Sequence, residues 1–313
     1  MRIIFMGTPD FAVPCLDALV ENGYQVVAVV TQPDRPKGRK GELTPSPVKQ
    51  AALRHNLAVL QPEKVREPEV LDEIEKLDAD LLVTAAYGQL LPKRLLDMPS
   101  LGCINVHASL LPRWRGGAPI HRAIIEGDKE SGVTIMRMVQ KLDAGDMISR
   151  VVLPIEDTDT AESLFHKLSE AGAKLLIETL PSIAAGTITE TPQDESLVTY
   201  SPELSRDDER IDWTKDARRL FNQVRGLNSW PVAFTYMDHK VMKIWQARIQ
   251  EEKSEPKTTP GTVVDVIKDA IIVQCGTGTL ALTEIQPAGK RRMMVSDYLR
   301  GVKLAPGTRF GEE

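Results

Sequence analysis

Cysteine is scarce in this 313-residue chain. Cys15, Cys103 and Cys275 lie far apart, with no CxxC pair and no ligand cluster. That excludes a disulfide-stapled scaffold and fits a reducing, cytoplasmic setting. No apolar run approaches the roughly 20 residues that span a bilayer, so no membrane partner is expected. The opening MRIIFMGTPDF has too short an apolar stretch for a signal peptide and reads as a strand. The histidines have no metal-ligand spacing, and no metal site is expected. Glycine is missing where nucleotide-binding loops need it. The first strand–helix turn, GTPDF, has neither the later glycines of GxGxxG nor a GK[ST] ending. A nicotinamide oxidoreductase or a nucleoside triphosphatase is therefore poorly supported. Aromatic residues make up only 5%, and Trp114, Trp213, Trp230 and Trp245 read as core or packing residues rather than base-stacking ones. No internal repeat occurs.

What is present is an ordinary globular composition, 42% apolar and 27% charged, long enough for two domains. Apolar strands alternate with helical patterns through the first half. RIIFMG, YQVVAVVT, ADLLVTAAY and LGCINVHAS read as strands, with helices between them around 46–56 and 67–77. This is the pattern of a parallel sheet covered on both faces. GVTIMRMVQ and ISRVVLPI alternate more cleanly and extend the sheet differently. A long helix is predicted from about Thr160 to Ala185, stopped by Gly186. Residues 187–210 turn polar and Pro-rich, as a linker would. Beyond them come one helical pattern and five short strands, VAFTYM, KVMKIWQARIQ, GTVVDVI, AIIVQCG and TLALTEIQP, which suggest a small antiparallel barrel. The expected organisation is an α/β domain over 1–189, a linker over 190–206 and a β-barrel domain over 207–313. Net charge is −5, but residues 206–313 carry +3 and the remainder −8. This last third thus suits an anionic partner, or simply has a charged solvated face.

Three segments could carry chemistry. In CINVHASLLPRWRGG, strand periodicity places Asn105 and His107 on one side and Ile104 and Val106 on the other. At the carboxyl end of a central strand, an amide and an imidazole form a plausible oxyanion-stabilising pair. The same spacing suits a polar strand end satisfied by local hydrogen bonds. In KLDAGDM, Asp143 follows a strand and precedes a glycine, as in a simple turn. Beside His107, its carboxylate would favour the imidazolium form and so help move a proton. Spacing alone does not bring the two together. Third, TQPDRPKGRKGELTPSPVK leaves about 14 residues between strand and helix, where 2–6 is usual. It holds Arg35, Lys37, Arg39 and Lys40, with Arg39 in the glycine-flanked KGRKG. Such a loop could grip phosphates, or could be a solvated insertion. Lys240, Lys243, Arg248 and Lys290, Arg291 and Arg292 give the barrel strands a weak basic signal of the same kind.

The motifs NVHASLLP, Asn105 to Pro112, and LDAG, Leu142 to Gly145, together resemble the formyltransferase family that uses 10-formyltetrahydrofolate. Further pieces, GTPDFAVPCLDAL, AAYGQLLP, RGGAPIHRAI and IDWTKDARRL with GLNSWPVA, resemble the members of that family that act on charged tRNA. The resemblance implies a Rossmann-like catalytic domain with a mostly parallel sheet, and a C-terminal oligonucleotide-binding-like β-barrel that meets tRNA. It implies formyl transfer to the α-amine of methionine on initiator methionyl-tRNA, for translation initiation, with tetrahydrofolate as the second product. Asn105, His107 and Asp143 are then catalytic. Ser109, Leu110, Leu111 and Pro112 line the folate site, with the strand end AAYGQL near the pterin. Arg35, Lys37, Arg39 and Lys40 meet the tRNA, and the protein is expected to be a monomer. The rivals are a formyltransferase for a small amine, such as a glycinamide or amino-sugar nucleotide, and a non-catalytic nucleic-acid-binding protein. A small substrate needs neither the basic insertion nor the barrel, and the intact trio argues against a silent domain.

Overall fold

The structure, a computed structural model, describes residues 1–38 and 41–311. It divides into two compact units that interleave along the chain. The first comprises 1–119, 131–153 and 165–201, and the second 120–130, 154–164 and 202–313. The expected linker thus splits, with its residues up to Ser201 in the first unit. Two segments on the amino-terminal side of it, 120–130 and 154–164, group with the barrel.

In chain order the first unit begins with β1 (Arg2–Gly7), α1 (Val13–Glu21) and β2 (Gln25–Val30). The long basic loop then rises as a two-stranded ribbon, β3 (Arg35–Lys37) paired antiparallel with β4 (Glu42–Thr44). Arg39 and Lys40 lie outside the described residues. Helix α2 (Pro47–Arg54) follows. Its N-terminus is set by Ser46, whose hydroxyl accepts the Lys49 N–H, and by Pro47, which has no N–H to satisfy there. Next come β5 (Val59–Leu60), α3 (Pro68–Glu75), β6 (Leu81–Ala85), α4 (Lys93–Leu96), β7 (Cys103–His107) and β8 (Arg115–Gly116). After α5 (Pro119–Ile125) the chain runs through β9 (Glu130–Arg137), β10 (Met147–Pro154), α6 (Ala161–Ala184) and the short β11 (Tyr200–Ser201).

The main sheet has the order β10-β9-β7-β6-β1-β2-β5. Its pairs from β5 to β7 are parallel, and β9 runs antiparallel to β7. Strand order reverses beside β1, which opens a crevice at the carboxyl ends. Alternation decides what faces that crevice. Gly172 of α6 packs against Val106 and Val133, so α6 covers the Ile104/Val106 side. On the other side Leu82 and Cys103 enter a cluster with Leu71 and Ile74 of α3 and Leu95 of α4. Each such aliphatic side chain contributes roughly 1.5–3 kcal/mol on burial. Thr84, Asn105 and His107 share the Leu82/Cys103 side but lie farther along, toward the carboxyl ends.

In the second unit, α7 (Arg206–Glu209) and α8 (Ala217–Gly226) precede β12 (Phe234–Met237), β13 (Lys240–Glu251), β14 (Val263–Ile267), β15 (Ala270–Gln274), β16 (Thr279–Pro287), β17 (Met293–Met294) and α9 (Val295–Gly301). The sheet order is β12-β13-β16-β15-β14, with every described pair antiparallel. The segment 307–311 closes it. Gly307 and Phe310 donate to Val263 and Gly261, and Gly311 donates to Tyr236. Both sheet edges are therefore occupied, and the expected barrel is present. Leu220 and Val224 of α8, with Trp213, Ile244, Val273, Leu282 and Phe310, fill its core.

Candidate active site

Strand β7 delivers Asn105 and His107 to the same side, and its neighbours fasten them. Thr84 on β6 is a lone polar residue in a fully buried strand. Its hydroxyl donates to Asn105 Oδ1 at 2.8 Å, its shortest contact, against 3.2 Å to Ile104 O and 3.1 Å to Met138 Sδ. Occupying the amide oxygen leaves the amide NH2 as the half of Asn105 available to a ligand. His107 is buried, and its Nε2 lies 3.1 Å from Trp114 O. A carbonyl can only accept, so Nε2 carries the proton. The nitrogen left for chemistry is Nδ1.

Nδ1 faces Asp143. Its distance to Asp143 Oδ2 is 3.8 Å, longer than a hydrogen bond. The loop that carries Asp143 begins beside the start of β7, where Met138 N–H donates to Cys103 O, and has reached His107 by residue 143. Oδ2 accepts the Gly116 N–H at 2.9 Å. Gly116 has φ +117, and a Cβ there would sit 2.7 Å from Ser201 O, so the close approach of β11 requires glycine. Asp143 (φ 45) and Trp114 (φ 65) both adopt the left-handed region. Each conformation costs roughly 1–2 kcal/mol and is held by the bonds around it.

The loop after His107 is pinned from β9. Thr134 pairs with His107 in the sheet; its hydroxyl donates to Ser109 O at 2.7 Å and accepts the Leu111 N–H at 3.2 Å. The Ser109 hydroxyl donates to Arg113 O at 2.7 Å, and both Ser109 and Leu111 are buried. Leu110 and Pro112 keep partly exposed side chains. Arg35 is exposed and engaged elsewhere, 2.7 Å from Glu63. The backbone of Lys37 lies on β3.

An amide donor, an imidazole nitrogen and a carboxylate thus converge. They suit stabilisation of an oxygen that gains negative charge while a proton moves between neighbouring atoms. Among the described residues, nothing near them resembles an activated nucleophile. Ser109 is committed to a carbonyl, and burial pushes the Cys103 thiol up to about 12, so it stays protonated. Cys15 and Cys275 are likewise buried thiols raised by burial. Among the described residues no helix is long and apolar enough to cross a membrane, and no cluster of His, Cys, Asp or Glu could hold a metal ion.

Four supporting groups escape a reading of motifs: Thr84, Thr134, the Gly116 N–H, and Gln193, whose amide donates to Asp143 O and Gly145 O. Thr84 left a trace, as a hydroxyl inside the apolar run LLVTAA. Gln193 left none, because it sits in a segment whose composition is that of a linker.

Comparison with known proteins gives the family. The formyl transferase profile matches residues 1–180, and the formyl transferase C-terminal domain profile matches 203–303. Over 313 residues the chain is 56% identical to a methionyl-tRNA formyltransferase of Bacillus licheniformis, covering 100% of this chain and 98% of that protein. It is 57% identical over 312 residues to one of Bacillus subtilis, covering 99% and 98%. Among solved structures, HypX of Aquifex aeolicus in complex with tetrahydrofolic acid is similar at a TM-score of 0.65 and 19% identity. The match takes in 98% of this chain and 49% of that one, so the chain spans about half of HypX and shares its fold over that length.

Proposed function

The chain belongs to the formyl transferase family, and from that premise we propose how its own residues perform the reaction. It formylates the methionine carried by initiator tRNA. The formyl donor is 10-formyltetrahydrofolate. The observation that carries the mechanism is the convergence of Asn105, His107 Nδ1 and Asp143 at the carboxyl end of β7.

The uncharged α-amine adds to the formyl carbon, and the formyl oxygen becomes negative. The Asn105 NH2, left outward by Thr84, donates to that oxygen, and protonated Nδ1 of His107 is the second donor. Asp143 lies beside this nitrogen, with Oδ2 3.8 Å away. It accepts the proton that the attacking nitrogen must lose, and the departing folate nitrogen takes up a proton as the C–N bond breaks. The new amide carries the formyl group, and tetrahydrofolate leaves with the proton. A positioned amide and imidazole fit a formyl donor, because its reacting carbonyl needs hydrogen-bond donors.

Leu110 and Pro112 offer side-chain surface to the folate, while Ser109 and Leu111 shape the loop and present backbone. The ribbon at 35–44, with Arg35, Lys37, Arg39 and Lys40, meets the acceptor end of the tRNA. The catalytic work belongs to the first unit, and the barrel supplies a further basic surface for RNA.

The test is transfer of labelled formyl from 10-formyltetrahydrofolate to charged initiator tRNA, beside uncharged tRNA and glycinamide ribonucleotide. Only the charged tRNA is expected to accept it. Asn105→Ala, His107→Ala and Asp143→Ala should each lower turnover by about 10²-fold or more in a folded protein. Near-wild-type turnover in any one of them removes that residue from the mechanism.

A further inference from the structure

Residues 191–201 are mostly polar and hold only a single 3-10 turn, Glu195–Leu197, and the two-residue β11, yet they do not hang free. Thr191 exchanges both backbone bonds with Met147, just past the Asp143 loop, at 2.8 Å each. Thr199 O accepts the Arg115 N–H, and Thr199 Oγ1 accepts the Trp114 N–H at 2.9 Å. Ser201 O accepts from Gly117 and Ala118. The segment is therefore a strap. One end holds the Asp143 loop, and the other holds the stretch 114–118, which supplies the Gly116 N–H to Asp143 and the Trp114 carbonyl to His107.

Between these ends, Gln193 joins the two sides with a single buried amide. Its Oε1 accepts Nε and Nη2 of the fully buried Arg115 at 3.0 and 2.8 Å. Its Nε2 donates to Asp143 O and Gly145 O, both at 2.8 Å. All four hydrogen-bonding positions of the primary amide, two donors and two lone pairs, are thus engaged. The two carbonyls it gathers belong to a turn that is left-handed at Asp143. At Gly145 an added Cβ would stand 1.9 Å from Arg137 O. Such a turn needs external bonds to keep its shape. Arg115, in turn, is steadied by Glu195, whose carboxyl Lys141 and Arg115 hold below its usual range.

We propose that Gln193 is a positioning residue for Asp143: it fixes the turn so that the carboxylate stays aimed at His107 Nδ1. It makes no contact with the reacting atoms. The assignment rests on the catalytic role given above to Asp143. The distance at stake is short, and a misplacement of ~1 Å far from the chemistry can cost on the order of 10²-fold in rate.

The experiment compares Gln193→Ala and Gln193→Glu in the wild-type and Asp143→Ala backgrounds, each as the full chain. Glu keeps the pairing with Arg115 but, ionised, cannot donate to two carbonyls, so it isolates the Asp143 side and decides the matter where Ala does not fold. In the wild-type background both variants should lower kcat for formyl transfer by about 10- to 100-fold. KM for charged tRNA and for the folate should change by less than about threefold. In the Asp143→Ala background neither substitution should lower the residual rate further, because residues that act through one another are not additive. An equal loss in both backgrounds would make Gln193 a general structural residue and overturn the proposal, as would wild-type kcat in Gln193→Glu. Wild-type kcat in Asp143→Ala alone would instead overturn the catalytic reading on which the proposal stands.

Discussion

One proton on Thr84 orients the amide of Asn105. An asparagine side chain presents an acceptor on one side and donors on the other, and a half-turn about its last torsion exchanges them. The bond from Thr84 Oγ1 to Asn105 Oδ1 selects the state in which the donors face away from β6. Thr84→Val keeps the shape and removes the proton. We expect kcat to fall about tenfold, less than the 10²- to 10³-fold typical of deleting an oxyanion donor outright. Thr84→Ser should retain most of the activity. Steady-state kinetics with charged tRNA checks this, and unaltered turnover in Thr84→Val would show that Asn105 needs no such guide. His107 is governed in the same manner. The Trp114 carbonyl keeps a proton on Nε2 and leaves Nδ1 to act.

At the scale of an element, the ribbon of β3 and β4 belongs to the basic loop proposed to meet the tRNA. Its short strands pair antiparallel, and the sequence between them holds Arg39 and Lys40. Part of the basic charge in and beside it is already neutralised, since Arg35 pairs with Glu63, and Lys49 of α2 with Asp34. Asp34 is correspondingly held below the usual carboxylate range by Lys49 and then Gln61. The exposed Arg35–Glu63 pair is worth at most about 1 kcal/mol. Changing Arg39 and Lys40 together to Ala should lower kcat/KM for charged tRNA. The salt dependence should flatten, with a logarithmic slope about two units shallower, because fewer counterions are released. Folate affinity should hold. A salt series on kcat/KM decides between this role and that of a solvated insertion.

For the molecule as a whole, the barrel depends on its last described residues. Phe310 is 2% exposed and stacks on Trp213 with ring centroids 6.1 Å apart. Its backbone lies in the segment that pairs with 261–263 on one side and with β12 on the other. Removing the ring from a site this buried opens a cavity and loosens the seam together. Phe310→Ala should destabilise the second unit by about 3–5 kcal/mol. Denaturant unfolding monitored by tryptophan fluorescence will report it. A loss below about 1 kcal/mol would mean that the seam contributes little, since burial of so large a ring is otherwise worth several times more.

Much of this protein follows from local sequence. Period-two alternation placed Asn105 and His107 together, and helical and strand periods marked the main elements, because side-chain direction depends only on neighbouring residues. The motifs around 105–112 and 142–145 were legible for the same reason. The tertiary structure alone brought Asp143 to His107 across 36 residues of sequence. It also revealed that α5 and the segment 154–164 group with the barrel, and it turned a linker-like stretch into the strap that carries Gln193. Composition could not distinguish those cases. A polar side chain solvated in a loop and a polar side chain satisfied by buried carbonyls are the same residue type. Only the positions of distant partners decide which of the two a glutamine becomes.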